Sequence, residues 1–372
     1  MVPMAALGVL AFATPRLLKR AFAPPVREVH SEPGDHGLAG SDIWIAGPNG
    51  RRLHGWWIPV EGSAPAVIVL HGWGGNSADM LPIGPGLVAS GFHVLFLDAR
   101  KHGLSDDEDF MSMPRFAEDL RTAIDMVTEH EDVSGIAVIG HSVGAAATIY
   151  AASMDRRIDA LVAVASFAHP AEMMRENFPF PAPVIWALLR VVERMIGHDY
   201  DDIAPRNRIA DVTAPVMVMH GDADTVIPIR DSIELHQRLP GSRLVVVPGG
   251  THADLDPFRP FFGAVDTFLR EHLHARLHHR GHFFLGAELF DEPFDFLSFF
   301  LVVDPRFLVD LLLFEDLIVQ LAGVALDLAR ALAVDADRVR DHVVHERAVV
   351  GDEHHLRAPL TQESRQPADR HH

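Results

Sequence analysis

Six short apolar runs constrain this chain more than any other feature: Ala66–Leu70, Phe92–Leu97, Ile136–Ile139, Ala160–Ala165, Val216–Met219 and Leu244–Val247. Each has the length of a strand and is close to continuously apolar, so each has to be covered on both faces. Helical stretches fall between most of them. In Pro114–His130, Phe116, Leu120, Ala123, Ile124 and Val127 recur at helical spacing, with Glu118, Asp119, Arg121 and Asp125 between them. Buried strands alternating with helices predict an α/β fold, a mostly parallel sheet with helices on both faces. Asp42–Ile45 and Leu53–Val60 flank the turn Gly47-Pro48-Asn49-Gly50, an antiparallel hairpin expected at one edge.

The stretches outside this pattern divide the chain. Residues 1–40 open with an apolar segment, Val2–Ala13, shorter than the roughly 20 residues that span a bilayer. Its charges, Arg16, Lys19 and Arg20, follow the apolar run, the reverse of a secretory signal. That order fits an interfacial anchor or a frayed apolar tail, and so a protein at the membrane surface or in the cytoplasm. Pro24, Pro25, Pro33 and Gly34 read as a linker into the main domain, residues 41–272. Within that domain, residues 167–210 break the strand–helix alternation with apolar side chains and with Pro170, Pro179, Pro181 and Pro183. Such an insertion adds to the core or forms a short helical lid. Its place after the strand that follows Ser142 favours a lid, with Phe167, Phe178, Phe180 and Trp186 as candidates to line a substrate pocket.

Residues 273–372 change character. An irregular histidine run from His272 to His282 lacks the fixed spacing and supporting carboxylates of a metal site, and no metal is expected there. Asp304-Pro305 opens a helical pattern in which Phe307, Leu311, Phe314, Ile318, Leu321, Ala325, Leu328 and Leu332 form a heptad-like seam. A wide apolar stripe of this kind docks on a domain, dimerises or lies on a membrane. From Asp335 no apolar periodicity remains, and a disordered tail is expected. A shifted reading frame beyond about His272 would give the same change in character.

Composition removes several chemistries. The net charge of −19 without a Lys/Arg-rich run argues against a nucleic-acid partner. The absence of cysteine excludes thiol catalysis, thiolate metal sites and disulfides.

One apolar run carries a chemical candidate. Ile136–Ile139 stops at Gly140, and His141, Ser142, Val143 and Gly144 lead into the small-residue run Ala145–Thr148. Strand, tight turn and helix follow one another, with one hydroxyl at the apex. The spacing Gly140-x-Ser142-x-Gly144 supplies residues without Cβ where such an elbow crowds its neighbours. A nucleophilic serine needs a base, an orienting acid and donors for an oxyanion. Loops after other strands hold candidates: His71-Gly72-Trp73; His220 to Pro228, with Asp222 and Asp224; and Gly250-Thr251-His252. Loops at the carboxyl ends of strands in an open α/β sheet converge on ligands.

From about Ser41 to Glu271 the chain resembles the α/β-hydrolase superfamily, in particular its esterase, lysophospholipase and serine-aminopeptidase-like members. The resemblance rests on His71-Gly72-Trp73-Gly74-Gly75, Asp98-Ala99-Arg100-Lys101-His102-Gly103-Leu104-Ser105, Gly140–Gly144, His220–Pro228 and Gly250-Thr251-His252, in that order. It implies the α/β-hydrolase fold, with Ser142 as nucleophile, His252 as general base and Asp224, rather than Asp222, as the orienting acid. It also implies an oxyanion hole from the backbone N–H groups of Trp73 and Val143, and no cofactor or metal. Lys101 departs from the family, which often has glycine there. His71 and His102 are expected to be structural, His141 to point away from the apex, and Asp98 and Arg100 to pair and hold their loop.

The expected activity is hydrolysis of a small-molecule carboxylic ester with an apolar acyl or alcohol part through an acyl-enzyme. A peptidase, thioesterase or acyltransferase uses the same fold. A membrane-associated, non-catalytic scaffold built on Phe307–Leu332 is the contrasting reading.

Overall fold

Successive side chains of a strand point to opposite faces, and Ala64–Leu70 (β3) commits both to core. Ala66, Ile68 and Leu70 join one hydrophobic cluster, and Val67 and Val69 join another on the opposite face. Neither face meets water, which is why the run carries no polar alternation. The computed structural model describes residues 19–20, 22–177, 181–252 and 256–273. The expectations for residues 1–18, for Phe178 and Phe180 and for everything after Leu273 lie outside the described residues.

The eight strands foreseen from the sequence are present: Ser41–Ala46 (β1), Arg52–Ile58 (β2), β3, His93–Leu97 (β4), Val133–His141 (β5), Ile158–Val164 (β6), Val216–Gly221 (β7) and Arg243–Val247 (β8). They form one sheet in the order β1-β2-β4-β3-β5-β6-β7-β8. β1 and β2 pair antiparallel, as do β2 and β4, and the remaining pairs are parallel. The hairpin therefore sits at one edge, as its turn signal indicated.

Helices cover both faces. Met113–Thr128 (α2) buries Phe116, Leu120, Ala123, Ile124 and Val127, the residues whose spacing predicted it. It packs in one cluster with Val143–Ala152 (α3), whose small residues allow close approach to the sheet. The opposite cluster includes Leu87 from Gly84–Ala89 (α1) and Phe268 and Leu269 from Phe262–Leu273 (α7). Between β6 and β7 run Pro170–Asn177 (α4) and Ala182–Ile196 (α5); Ile229–Arg238 (α6) follows β7.

Two details go beyond the sequence reading. The linker is strapped onto the domain: Pro33 and Leu38 are buried, Val29 packs on the core, and Asn76 Nδ2 donates to the Glu28 carbonyl at 3.3 Å. The insertion between β6 and β7 also contributes core, through Met174, Ile185, Leu189 and Val192.

Register fixes where the loops meet. Leu70 pairs with Leu97 of β4 and with Gly140 of β5, and Gly221 pairs with Val247 of β8. The loops carrying His71, Asp98, Ser142, Asp224 and His252 thus leave the sheet at the same end.

Candidate active site

β5 ends at His141 and α3 begins at Val143, leaving Ser142 alone between them at φ 55° and ψ −121°. A non-glycine residue held there stores strain on the order of 1–3 kcal/mol, which the surrounding packing sustains. The flanking glycines show what that packing demands. A Cβ on Gly140 would lie 2.6 Å from the Gly144 carbonyl oxygen, and one on Gly144 would lie 2.4 Å from that of His71. Both obstacles are backbone, which does not step aside.

The loop after β3 closes on the elbow. A Cβ on Gly72 would stand 3.1 Å from Cβ of Ser142 and 3.0 Å from Nδ1 of His141. Trp73, which follows, is 39% exposed. Val143 is the first residue of α3, a position whose N–H has no acceptor within its own helix.

The loops after β7 and β8 are locked to each other. Gly221 approaches Gly250 so closely that a Cβ would fall 2.1 Å from the Gly250 carbonyl oxygen, and that oxygen accepts the Ala223 N–H at 3.0 Å. This contact presents His252 between Ser142 and Asp224. His252 Nε2 lies 3.0 Å from Ser142 Oγ, and Nδ1 lies 2.8 Å from Asp224 Oδ2. The Asp224 side chain is wholly buried, and its Oδ1 accepts the N–H groups of Val226 and Ile227 at 2.8 and 2.9 Å. Burial opposes its ionisation, but hydrogen bonds from His220 and His252 outweigh that and hold its carboxyl well below the usual range. Asp222 turns elsewhere: its Oδ1 accepts the Gly249 N–H at 2.7 Å. A hydroxyl against an imidazole, itself backed by a carboxylate, can pass its proton to that ring.

The other histidines divide by role. His71 Nε2 accepts the Ala99 N–H, and His102 Nε2 accepts the Gly74 N–H, both at 3.2 Å. Each holds a loop, and burial pushes the His102 ring down to about 3. His141 also reaches the loop after β8. Its Nε2 is 2.9 Å from the His252 carbonyl oxygen and its ring centre 5.2 Å from that of His252, so it props the loop that carries the imidazole. Burial, with His252 beside it, pushes its pKa down to about 3, keeping the ring neutral.

Asp98 and Arg100 do not pair. Asp98 takes His54 Nδ1 at 2.9 Å, while Arg100 is held by Asp119 at 2.6 Å and Glu118 at 2.7 Å. Their side chains alternate along the chain, one toward β2 and the other toward α2. Lys101 adopts φ 62°, the left-handed conformation that glycine would take without cost. Of the pocket candidates, Phe167 is 3% exposed within the core and Trp186 is 60% exposed on α5. The sequence reading passed over His220, whose place at the end of β7, four residues ahead of Asp224, was the available signal. Among the described residues, no group of three or more His, Cys, Asp or Glu is arranged to hold a metal ion.

Comparison with known proteins agrees with this architecture. The family model described as serine aminopeptidase, S33, matches residues 62–201. An uncharacterized protein of Mycobacterium tuberculosis is 31% identical over 281 residues, covering 73% of this chain and 93% of its own length. The uncharacterized protein YfhR of Escherichia coli K12 is 27% identical over 240 residues, covering 59% of this chain and 78% of its own. Among solved structures, an esterase of Pyrococcus furiosus superposes with a TM-score of 0.56 at 23% identity, covering 67% of this chain and 98% of its own.

Proposed function

The chain belongs to the α/β-hydrolase superfamily, and on that premise we propose that it is a serine hydrolase cleaving carboxylic esters with an apolar acyl or alcohol part. The observation that carries this reading is the line from Ser142 Oγ through His252 to Asp224, with contacts of 3.0 and 2.8 Å. His252 takes the Ser142 proton as Oγ attacks the ester carbonyl carbon. The tetrahedral oxyanion is received by the backbone N–H groups of Trp73 and Val143, each such donor being worth about 2.7–4 kcal/mol in the transition state. His252 then protonates the departing alcohol, and water drawn to the same imidazole releases the acid from the acyl-enzyme. Asp224 stays ionised throughout and steadies the imidazolium. The apolar substrate is suggested by the exposed indoles of Trp73 and Trp186 and by the apolar insertion between β6 and β7.

The S33 family model gives weight to a second reading, peptide hydrolysis by the same residues. Labelling with a fluorophosphonate probe tests the shared chemistry: reaction is expected at Ser142 and is lost in Ser142→Ala. A folded protein that does not react overturns both readings. A panel of p-nitrophenyl esters of rising acyl length, run beside aminoacyl p-nitroanilides, then separates them. Faster turnover of the anilides would replace the esterase reading by the peptidase one.

A further inference from the structure

Asp224 answers to two histidines. His220, at the end of β7, is wholly buried, with Nε2 3.2 Å from Asp224 Oδ2 and 2.8 Å from the Ile227 carbonyl oxygen. The same Oδ2 faces His252 Nδ1 at 2.8 Å. On the far side of the His220 ring, Nδ1 is 2.6 Å from Oγ of Ser232, a wholly buried residue of α6. A continuous line therefore runs from Ser142 through His252, Asp224 and His220 to Ser232.

The partners select the protonation of His220. Two acceptors, a carboxylate and a carbonyl, sit at Nε2, so that nitrogen carries the proton. At Nδ1 the Ser232 hydroxyl, which can donate or accept, fixes the orientation of the ring. We propose that His220, held in orientation by Ser232, is a positioning residue for Asp224, its Nε2–H aiming Oδ2 at His252. This rests on the serine-hydrolase reading. A donor fixed at this place orients the carboxylate that steadies the His252 imidazolium. The other ionisable groups that face His220 are Asp231 of α6, whose carboxylate accepts the Ala168 N–H at 2.9 Å, and the neutral His141 of the elbow.

The test is the pH dependence of kcat and KM on a p-nitrophenyl ester for the wild type, His220→Phe, His220→Gln and Ser232→Ala, each first checked for folding by circular dichroism and melting temperature. Phe keeps a ring but removes the donor, whereas Gln restores an N–H near the place of Nε2. His220→Phe is expected to lose on the order of 10- to 100-fold in kcat, as a displaced catalytic group does. Its KM should stay within about 2-fold of wild type, since substrate binding is not touched. With one donor fewer on Oδ2, the carboxylate grips the His252 imidazolium harder, so the acid limb of kcat/KM moves to higher pH. Gln should recover most of the loss, and Ser232→Ala should lose about 5-fold. A folded His220→Phe with wild-type kcat, a loss without displacement of the acid limb, or a Gln variant as impaired as Phe each overturns the proposal. If His220→Phe does not fold, Ser232→Ala decides, and an unchanged kcat there overturns it. Fluorophosphonate labelling of the wild type separates the two levels. An unreactive Ser142 brings down the hydrolase reading and this inference with it, whereas a reactive wild type with unaffected variants brings down this inference alone.

Discussion

His54 on β2 and Asp98 at the end of β4 are both wholly buried, with Nδ1 2.9 Å from Oδ2. The Asp98 carboxylate also accepts the N–H groups of Ser77 at 2.7 Å and Leu104 at 3.1 Å, and its backbone carbonyl accepts the Ser105 hydroxyl at 2.6 Å. One side chain thus ties the antiparallel hairpin to the loops after β3 and β4, including the loop that carries Trp73. On its other side His54 meets Asp42, with Nε2 2.8 Å from Oδ1.

This pair should make stability depend on pH at both ends. Burial alone would push His54 down, but Asp98 and Asp42 outweigh it and raise its pKa above 6.5. Its stabilisation is fully present below about pH 6.5, the unfolded value, and is lost as pH rises through the higher folded one. Asp98 is held below 3.8 in spite of burial, mainly by His54. Its contribution is present above about pH 3.8 and is lost as pH falls through the lower folded value. Denaturant unfolding of wild type and His54→Gln at several pH values is expected to show a gap that narrows above about pH 6.5. A gap constant across that range would disprove the assignment.

Arg100 anchors the same loop to α2. Its Nε meets Asp119, its Nη2 meets Glu118 and the Arg115 carbonyl, and its own N–H donates to Asp119 at 2.8 Å. Arg100→Met leaves the wholly buried Asp119 without its cation, which is expected to cost about 3–5 kcal/mol. Adding Asp119→Leu removes the stranded carboxyl and should recover part of that loss, because an apolar replacement for a buried pair is often neutral. Equal stability of the single and double variants would show that the pair is not what holds the loop.

The elbow glycines give a paired test. Gly144→Ala drives a Cβ to 2.4 Å from the His71 carbonyl oxygen and 2.8 Å from that of Leu70, so β3 and the elbow must separate. A loss of about 1–3 kcal/mol is expected, with fluorophosphonate labelling reduced because Ser142 and the Trp73 loop no longer keep their spacing. Gly86→Ala, in α1, meets nothing within 4 Å and should be neutral or stabilising by up to about 1 kcal/mol. Similar melting shifts for the two variants would refute the steric account.

How much of this was legible follows from where the information lies. Strands β3 to β7 were readable because both faces are buried, which turns a tertiary fact into an unbroken apolar run; β8 has such a run too, but at the edge of the sheet it leaves Val246 exposed rather than covered on both faces. The elbow was readable because its steric demands fall on residues two apart, Gly140, Ser142 and Gly144. The partner of Arg100 was not readable: Asp98 and Asp119 offer the same carboxylate, and the choice depends on which face of the loop meets α2. The contact His141 makes was hidden for a similar reason, since its partner is the backbone of His252, on a loop 111 residues away. The Asp222–Asp224 choice was open on spacing alone and leaned on family resemblance. In the fold the two carboxylates are separated by what each one binds.

That separation yields the sharpest expectation. The Asp224 side chain is wholly buried, holds His252 Nδ1 at 2.8 Å and fills its second oxygen with two backbone N–H groups. Asp224→Asn keeps the shape but puts an amide where the imidazole needs an acceptor. The ring then flips to the tautomer that cannot take the Ser142 proton, and kcat should fall on the order of 10⁴-fold. Asp222 accepts the Gly249 N–H of the loop after β8 and does not face the imidazole, and the carbonyl of Asp222→Asn still accepts that N–H. Its kcat should therefore stay within about 2-fold of wild type. Steady-state hydrolysis of one p-nitrophenyl ester by both variants checks this, and a larger loss in Asp222→Asn would transfer the role of acid to that residue.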